Sequence, residues 1–216
     1  MATSKNRRAT GAARQRGSEA KRNGAGSARR AQLLAIAAEM FATRGYSQTT
    51  VRDIADEAGI LSGSLYHHFS SKEAMLTEIL GEFMGGLLER FQGITEGADG
   101  PRAALDGLVR GSFETIHRSQ HAVALYQNES GVIGSTPELA FVTSASLEVE
   151  RVWLGVLQAG ADDGVFRSDL DLAVAYRFIR DTVWASVRWY NPRGRLQHEV
   201  LADQYLMMLH GGLLAG

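Results

Sequence analysis

Residues 50–72 read TVRDIADEAGILSGSLYHHFSSK, and two short helical patterns meet in this stretch at a glycine. In the first, Val51, Ile54, Ala55 and Ala58 recur at three-to-four spacing along one apolar side. Thr50 stands where an N-cap belongs and Asp53 at the third helical position, the pairing of a capping box. Gly59 supplies the backbone freedom needed to end this helix and redirect the chain. A second pattern, Ser62 to Phe69, follows after only Ile60 and Leu61. Two helices joined by so short a turn form a helix-turn-helix, whose second helix can enter a DNA major groove. On that second helix Leu65 and Phe69 face inward, which leaves Ser62, Gly63, Ser64, Tyr66, His67 and His68 outward. Small residues permit close approach to a duplex, and hydroxyl and ring tips reach phosphates or base edges. Spacing alone leaves open an ordinary helical hairpin with a polar rim.

The rest of the chain bounds the answer. Its 216 residues suit one or two small domains, and 44% hydrophobic content is ordinary for a globular protein. No run approaches the ~18 apolar residues of a membrane span. The absence of Cys excludes disulfides, thiolate zinc sites and cysteine nucleophiles together. With no apolar signal core at the start, a cytoplasmic protein is expected. Net charge is −1 but uneven: residues 1–30 hold nine Lys or Arg against Glu19 alone, and the remainder carries a balance of −9. Residues 1–28 are therefore expected to form a disordered basic arm, which either tracks DNA phosphates or is a solvated tail. Residues 29–73 make the three-helix reading domain and residues 74–216 a second helical domain.

Helical patterns account for most of that second domain. The first helix of the chain runs from about Arg29 to Thr43 and ends at Gly45. Ser70 and Glu73 form a capping box for a long helix to about Gly93, shared by both domains. Pro101 opens a helix to Arg118, and Pro137 opens one to Gly160. Asp169 caps one to Tyr190, and the last spans Leu196 to Leu213. No strand pattern appears, so an all-α fold of about nine helices is expected. On the last helix Leu201, Tyr205, Met208 and Leu209 form an apolar stripe, which serves either a dimer seam or the core. Arg180, Trp184 and Arg188, four apart on one expected helix, span about 12 Å along its axis. Two guanidinium groups flanking an indole suit a long ligand with an apolar body and anionic ends. The same residues would equally serve a surface or dimer seam, with the arginines paired to acids or stacked on Trp184.

The stretch AGILSGSLYHHFSSKEAM resembles the helix-turn-helix signature of the tetracycline-repressor (TetR) family, through Gly59, Gly63, Leu65, Tyr66, Phe69, Lys72 and Glu73. One departure is Leu61, where the family usually has a Ser that caps the recognition helix; either Ser62 caps it one residue later or the cap is weak. The resemblance implies a DNA-binding homodimer that reads a palindromic operator and is released by a small molecule. By position, Thr50, Tyr66 and Lys72 match phosphate-contacting residues. Arg52, Ser62, Ser64, His67 and His68 match residues that face bases, and Gly63 allows close backbone approach. The stretches VRDIADEAGILSGSLYHHF and YRFIRDTVWASVRWY further resemble one subgroup, the KstR-type regulators of steroid catabolism in actinobacteria. That likeness implies an acyl-CoA thioester of an indanedione-propionate as effector and no other cofactor. Arg180, Trp184 and Arg188 would grip it, with Phe113, Tyr126 and Trp153 lining the apolar interior.

Other functions have weaker support. The chain holds no GxSxG and no phosphate-binding GxxxxGKS, so an enzyme is not expected. Glu114, His117 and His121 have spacing that brings three metal ligands together on a helix, yet such histidines more often face solvent or hydrogen bonds, and no metal is expected. A TetR-type sensor of another ligand, such as a fatty acyl-CoA or a drug, and a nonspecific nucleoid protein stay as alternatives.

Overall fold

The structure, a computed structural model, describes residues 26–214. Those residues form ten α-helices and two 3-10 turns; no strand occurs among them, and one isolated bridge pairs Phe166 with Leu214. The all-α expectation holds. Two helices beyond those named from the sequence lie between residues 119 and 136, where short apolar runs carry no capping side chain to announce them.

Helix α1 covers residues 26–44 and buries Leu33, Leu34, Ala37, Met40 and Phe41. Gly26, Ser27 and Ala28, placed by the sequence in the basic arm, are already helical. The rest of that arm lies outside the described residues. Helix α2 (Val51–Glu57) starts on the expected Thr50–Asp53 capping box. It ends in a double turn: Gly59, at φ +66°, donates to the Asp56 carbonyl at 3.1 Å, and the Ile60 N–H reaches Ala55 at 2.9 Å.

Helix α3 is shorter than expected. Its α-helical part is Ser62–Leu65 rather than Ser62–Phe69, with Leu61 at the N-cap making no side-chain bond and Ser62 inside the helix. Without a cap and with Gly63 in its first turn, the segment has little intrinsic helicity. From Leu65 onward the chain closes in tighter turns, His67 N–H to Ser64 and His68 N–H to Leu65. Leu61→Ser supplies the missing acceptor; thermal unfolding is expected to show a gain of about 1 kcal/mol, and an unchanged melting curve would mean that the hydroxyl finds no N–H.

Helix α4 (Lys72–Glu96) is capped by Ser71, not Ser70: the Ser71 hydroxyl accepts from Ala74 N–H at 3.1 Å. Its buried residues from Met75 to Phe91 thread both halves of the molecule. Around it pack α5 (Gly100–Arg118), α6 (Gln120–Asn128) and α8 (Ala140–Asp162), with α7 (Ser130–Ser135) lying on α8. Pro137 opens a 3-10 turn, Pro137–Leu139, ahead of α8. Phe91 meets Trp153 edge-on with ring centroids 5.8 Å apart. Helix α9 (Leu172–Ala185) is capped by Asp171, whose carboxylate accepts from Val174 N–H; Asp169 pairs instead with Arg167. A 3-10 turn, Ser186–Arg188, follows α9, so the expected run to Tyr190 stops early. Helix α10 (His198–Leu213) lies on α5, tied by His210 to Asp106 at 2.6 Å and by Asp203 to Arg110 at 2.6 Å.

Candidate functional site

The expected DNA-facing residues divide by what they touch. Arg52, Gly63, Ser64, Tyr66 and His67 are exposed, and Ser62 and His68 are half-buried. Arg52 stands 3.8 Å from Asp56, a loose pair that leaves its guanidinium free to turn toward a duplex. Thr50 is exposed, but its hydroxyl is engaged with Asp53, donating at 2.6 Å and accepting from the Asp53 N–H at 3.1 Å. The Thr50 hydroxyl and then its backbone N–H hold the Asp53 carboxyl below its usual range. Leu61, beside them, is 80% exposed, the most exposed large apolar side chain among the described residues.

Lys72 is placed differently from an open phosphate contact. Its ammonium donates to the carbonyls of Tyr46 (2.9 Å) and Thr49 (3.1 Å) and lies 4.1 Å from the Tyr46 ring centroid. Two of its three N–H groups therefore tie the start of α4 to the loop that precedes α2. Tyr46 is the hub of this region. Its ring meets Phe41 edge-on at 5.1 Å, and its N–H donates to Glu129 Oε1 at 2.9 Å. Burial first, then the charge and hydrogen bond of Glu73, push its hydroxyl well above the ordinary tyrosine range. Arg30 is a residue that sequence reasoning missed: it stood at the start of the first expected helix and was counted only in the charge balance of residues 1–30. It donates to the His68 carbonyl, pairs with Glu78, and stacks 4.1 Å over Phe69. It thereby clamps the turn after α3 onto α1 and α4. The available signal was its position inside the helical register, three residues before the buried Leu33.

A cavity of about 440 Å³ opens in the second domain. Its walls come from Met84 and Leu87 of α4, Tyr126 and Gln127 of α6, Ile133 of α7, Val142, Ser146 and Glu150 of α8, and Tyr176, Arg180 and Trp184 of α9. Phe83 braces it from behind, with Tyr126 at 5.8 Å and Trp184 at 6.4 Å between ring centroids. The Tyr126 hydroxyl is hydrogen-bonded to Ser146 Oγ at 2.9 Å. Burial pushes the Tyr176 hydroxyl up to about 12, against the opposing charge of Arg180. Arg180 bonds Asp181 at 2.8 Å and keeps a partly exposed guanidinium at the wall. The arrangement is an apolar pocket with a cationic edge, the form that takes an apolar body carrying an anionic group.

Of the six residues expected to bind effector, Arg180, Trp184 and Tyr126 share this wall; Arg188, Phe113 and Trp153 do not. Arg188 falls in the 3-10 turn after α9, where each residue rotates the chain by about 120° instead of about 100°. It leaves the face shared by Arg180 and Trp184 and is exposed. Phe113 packs against Tyr205 at 5.7 Å, on the side of α5 covered by α10. Trp153 is buried one layer behind the cavity, between Phe91 and Tyr176. The α10 stripe also divides: Leu201, Tyr205 and Leu209 pack on the core, while Met208 is 72% exposed. Glu114, His117 and His121 do not converge. Glu114 pairs with Arg90 and Arg118, and His117 bonds the Tyr190 hydroxyl and stacks on His198. No metal-binding cluster of three or more such residues occurs among the described residues.

Residues 33–79 match the profile of bacterial regulatory proteins of the tetR family, and residues 98–213 match a tetracyclin repressor-like C-terminal domain. The chain belongs to the TetR family. Among TetR proteins it is 50% identical over 185 residues to the HTH-type transcriptional repressor KstR2 of Mycolicibacterium smegmatis, covering 86% of this chain and 90% of that one. The KstR2 of Rhodococcus jostii is 48% identical over 187 residues, covering 87% and 92%. The solved ketosteroid transcriptional regulator KstR2 of Mycobacterium tuberculosis superposes with a TM-score of 0.85 at 46% identity, over 87% of this chain and 96% of that one. These TetR relatives are named as transcriptional repressors, and the family is one of regulators, not enzymes. No helix among the described residues is long and apolar enough to cross a membrane.

Proposed function

We propose that this protein is a homodimeric transcriptional repressor of steroid-degradation genes, acting in the cytoplasm and released from a palindromic operator by a bicyclic steroid-derived acyl-CoA of the indanedione-propionyl type. The observation that carries this reading is the apolar cavity with Trp184 in its wall and Arg180 at its edge, in a chain half identical to named KstR2 repressors. A cavity of about 440 Å³ lies in the lower part of the ~300–1,000 Å³ range of small-molecule pockets. It suits the acyl group, with the CoA nucleotide outside and its phosphates drawn to arginine. Arg188 joins the site only if its turn rearranges around the nucleotide.

Dimerisation is supported by an unpartnered apolar face on the last two helices. Phe178 of α9 is 70% exposed and Met207 of α10 is 69% exposed, next to Met208. A second copy related by a two-fold axis would bury this face and set two recognition helices against successive major grooves. Effector binding then favours a dimer geometry in which those helices no longer match the grooves, with α4 as the lever common to both domains. On the DNA, Arg52 is the strong guanine-reading side chain of the set, able to contribute about 1–3 kcal/mol of discrimination. Tyr66 and the hydroxyls of Ser62 and Ser64 supply backbone and edge contacts, as do His67 and His68, while Thr50 adds a phosphate contact once its hydroxyl turns from Asp53.

Lys72 offers a check on the reading head. Lys72→Met removes both carbonyl bonds and is expected to lower unfolding stability by about 2 kcal/mol. A fall of about 0.9 in the slope of log affinity against log salt, at unchanged stability, would assign Lys72 to a phosphate instead. The effector reading is tested by a mobility-shift titration on DNA from the protein's own promoter. The competitors are the indanedione-propionyl-CoA, its free acid, a fatty acyl-CoA and CoA alone. Release by the bicyclic thioester alone is the expected result. Release by the fatty acyl-CoA would make this a lipid sensor, and release by none would overturn the acyl-CoA assignment.

A further inference from the structure

Glu129 sits at the junction of α6 and α7, as the last cap of one and the first of the other. Its neighbours in sequence, Gln127 and Ser130, line the effector cavity, and so does Ile133, whose N–H bonds the Glu129 carbonyl at 2.9 Å. Its side chain points the other way. Glu129 Oε1 lies over the Gly45–Tyr46 link and accepts the Tyr46 N–H at 2.9 Å. Among the described residues this is the one side-chain hydrogen bond or ion pair that joins residues 26–71 to anything beyond α4. The Tyr46 carbonyl in turn takes the Lys72 ammonium, which also holds Thr49, the residue before the α2 cap. A chain of three contacts thus runs from the cavity wall to the start of the helix-turn-helix.

We propose that Glu129 is a positioning residue for the DNA-reading head: it holds the head in its operator-binding arrangement through the Tyr46 N–H, and lets go when ligand displaces the α6–α7 junction. The Glu129 contact adds to the ties that α4 itself makes to the head, through Lys72 and through the Glu78–Arg30 pair. A carboxylate accepting a backbone N–H makes a strong bond in a half-buried setting, yet one that breaks when its anchor shifts by an ångström or two. Both arrangements keep their covalent path through α4, so loss of this contact reorients the head without unfolding it. The inference rests on the reading of the cavity as the effector site.

The test compares the wild type with Glu129→Leu, which cannot accept the bond, and Glu129→Gln, which keeps Oε1. The first readout is hydrogen exchange of the Tyr46 amide. It is expected to speed up on the order of tenfold in the Leu variant and to stay near the wild-type rate in the Gln variant. The second is operator affinity: Kd rises on the order of tenfold for Leu and is largely restored by Gln. The third is the factor by which indanedione-propionyl-CoA weakens operator binding, which shrinks in the Leu variant because one of the two states has already lost its tie. Equal Tyr46 exchange in wild type and Leu variant, or full release factor and affinity in the Leu variant, would overturn the proposal. If the thioester fails on the wild type, the effector reading falls alone, and the first two readouts still decide the role of Glu129.

Discussion

Replacing Trp184 with Leu raises the concentration of acyl-CoA needed to release the operator roughly thirtyfold, from a loss of about 2 kcal/mol of apolar contact. Operator affinity without the thioester stays within about twofold in this expectation, because the cavity that Trp184 lines is built from residues 84–184 and its ring partner is Phe83 of α4. Trp184 is 7% exposed, so the indole is part of the packed wall as well as of the ligand face. Leu keeps the apolar character but leaves part of the indole volume empty, and a modest drop in melting temperature accompanies the change. Two measurements separate these effects. A calorimetric titration reads ligand affinity directly, and a melting curve reads the wall. A variant that melts below the wild type but is released by the same ligand concentration would remove Trp184 from the effector site. Arg180→Met is the companion test for the cationic edge and should weaken the thioester more than an uncharged analogue.

Gly160→Ala lowers stability by about 2–3 kcal/mol, although helix propensity alone would make it a gain of about 1 kcal/mol. The sign reverses because the ring of Phe166 lies flat on Gly160: a Cβ built there overlaps the ring atoms. The Gly160 carbonyl also receives the N–H groups of Val165 and Phe166, both at 2.9 Å, so neither the ring nor its backbone has room to retreat. Phe166 is 1% exposed and carries the bridge to Leu214 that fastens the end of α10. Gly155, five residues earlier on the same helix, is the internal control. A Cβ there meets nothing within 4 Å, and Gly155→Ala is expected to raise stability by up to about 1 kcal/mol. Melting temperatures of the pair should move in opposite directions, down by roughly 5–10 °C for position 160. Equal shifts would mean that Phe166 does not rest on α8.

Much of this protein is written in local sequence. The Thr50–Asp53 box, the Gly59 turn, the apolar spacing of α1 and α4 and the prolines at 101 and 137 each act within a few residues, so they could be read without a structure. Arg180 and Trp184 were legible as a pair because they lie one helical turn apart, whereas Tyr126 was named only as a lining residue that the family resemblance implies. Arg188 was misplaced for a related reason: nothing local announces that α9 tightens into a 3-10 turn after Ala185, and that change of pitch moves it off the face. Capping serines and aspartates were each read one or two residues early, since Ser70 and Ser71, or Asp169 and Asp171, are equivalent until packing chooses between them.

What the sequence alone determined is therefore the all-α class, the helix-turn-helix and the family, because these follow from periodicity, caps and a contiguous signature. Only the tertiary structure decided which aromatic residues face the cavity and which stand behind it. It also turned Lys72 into a tie, made Arg30 of the first helix a clamp on Phe69, and brought Glu129 to Tyr46 across 83 residues of chain. Contacts of that separation depend on how α1, α4 and the α6–α7 junction pack, and no short-range pattern encodes that geometry.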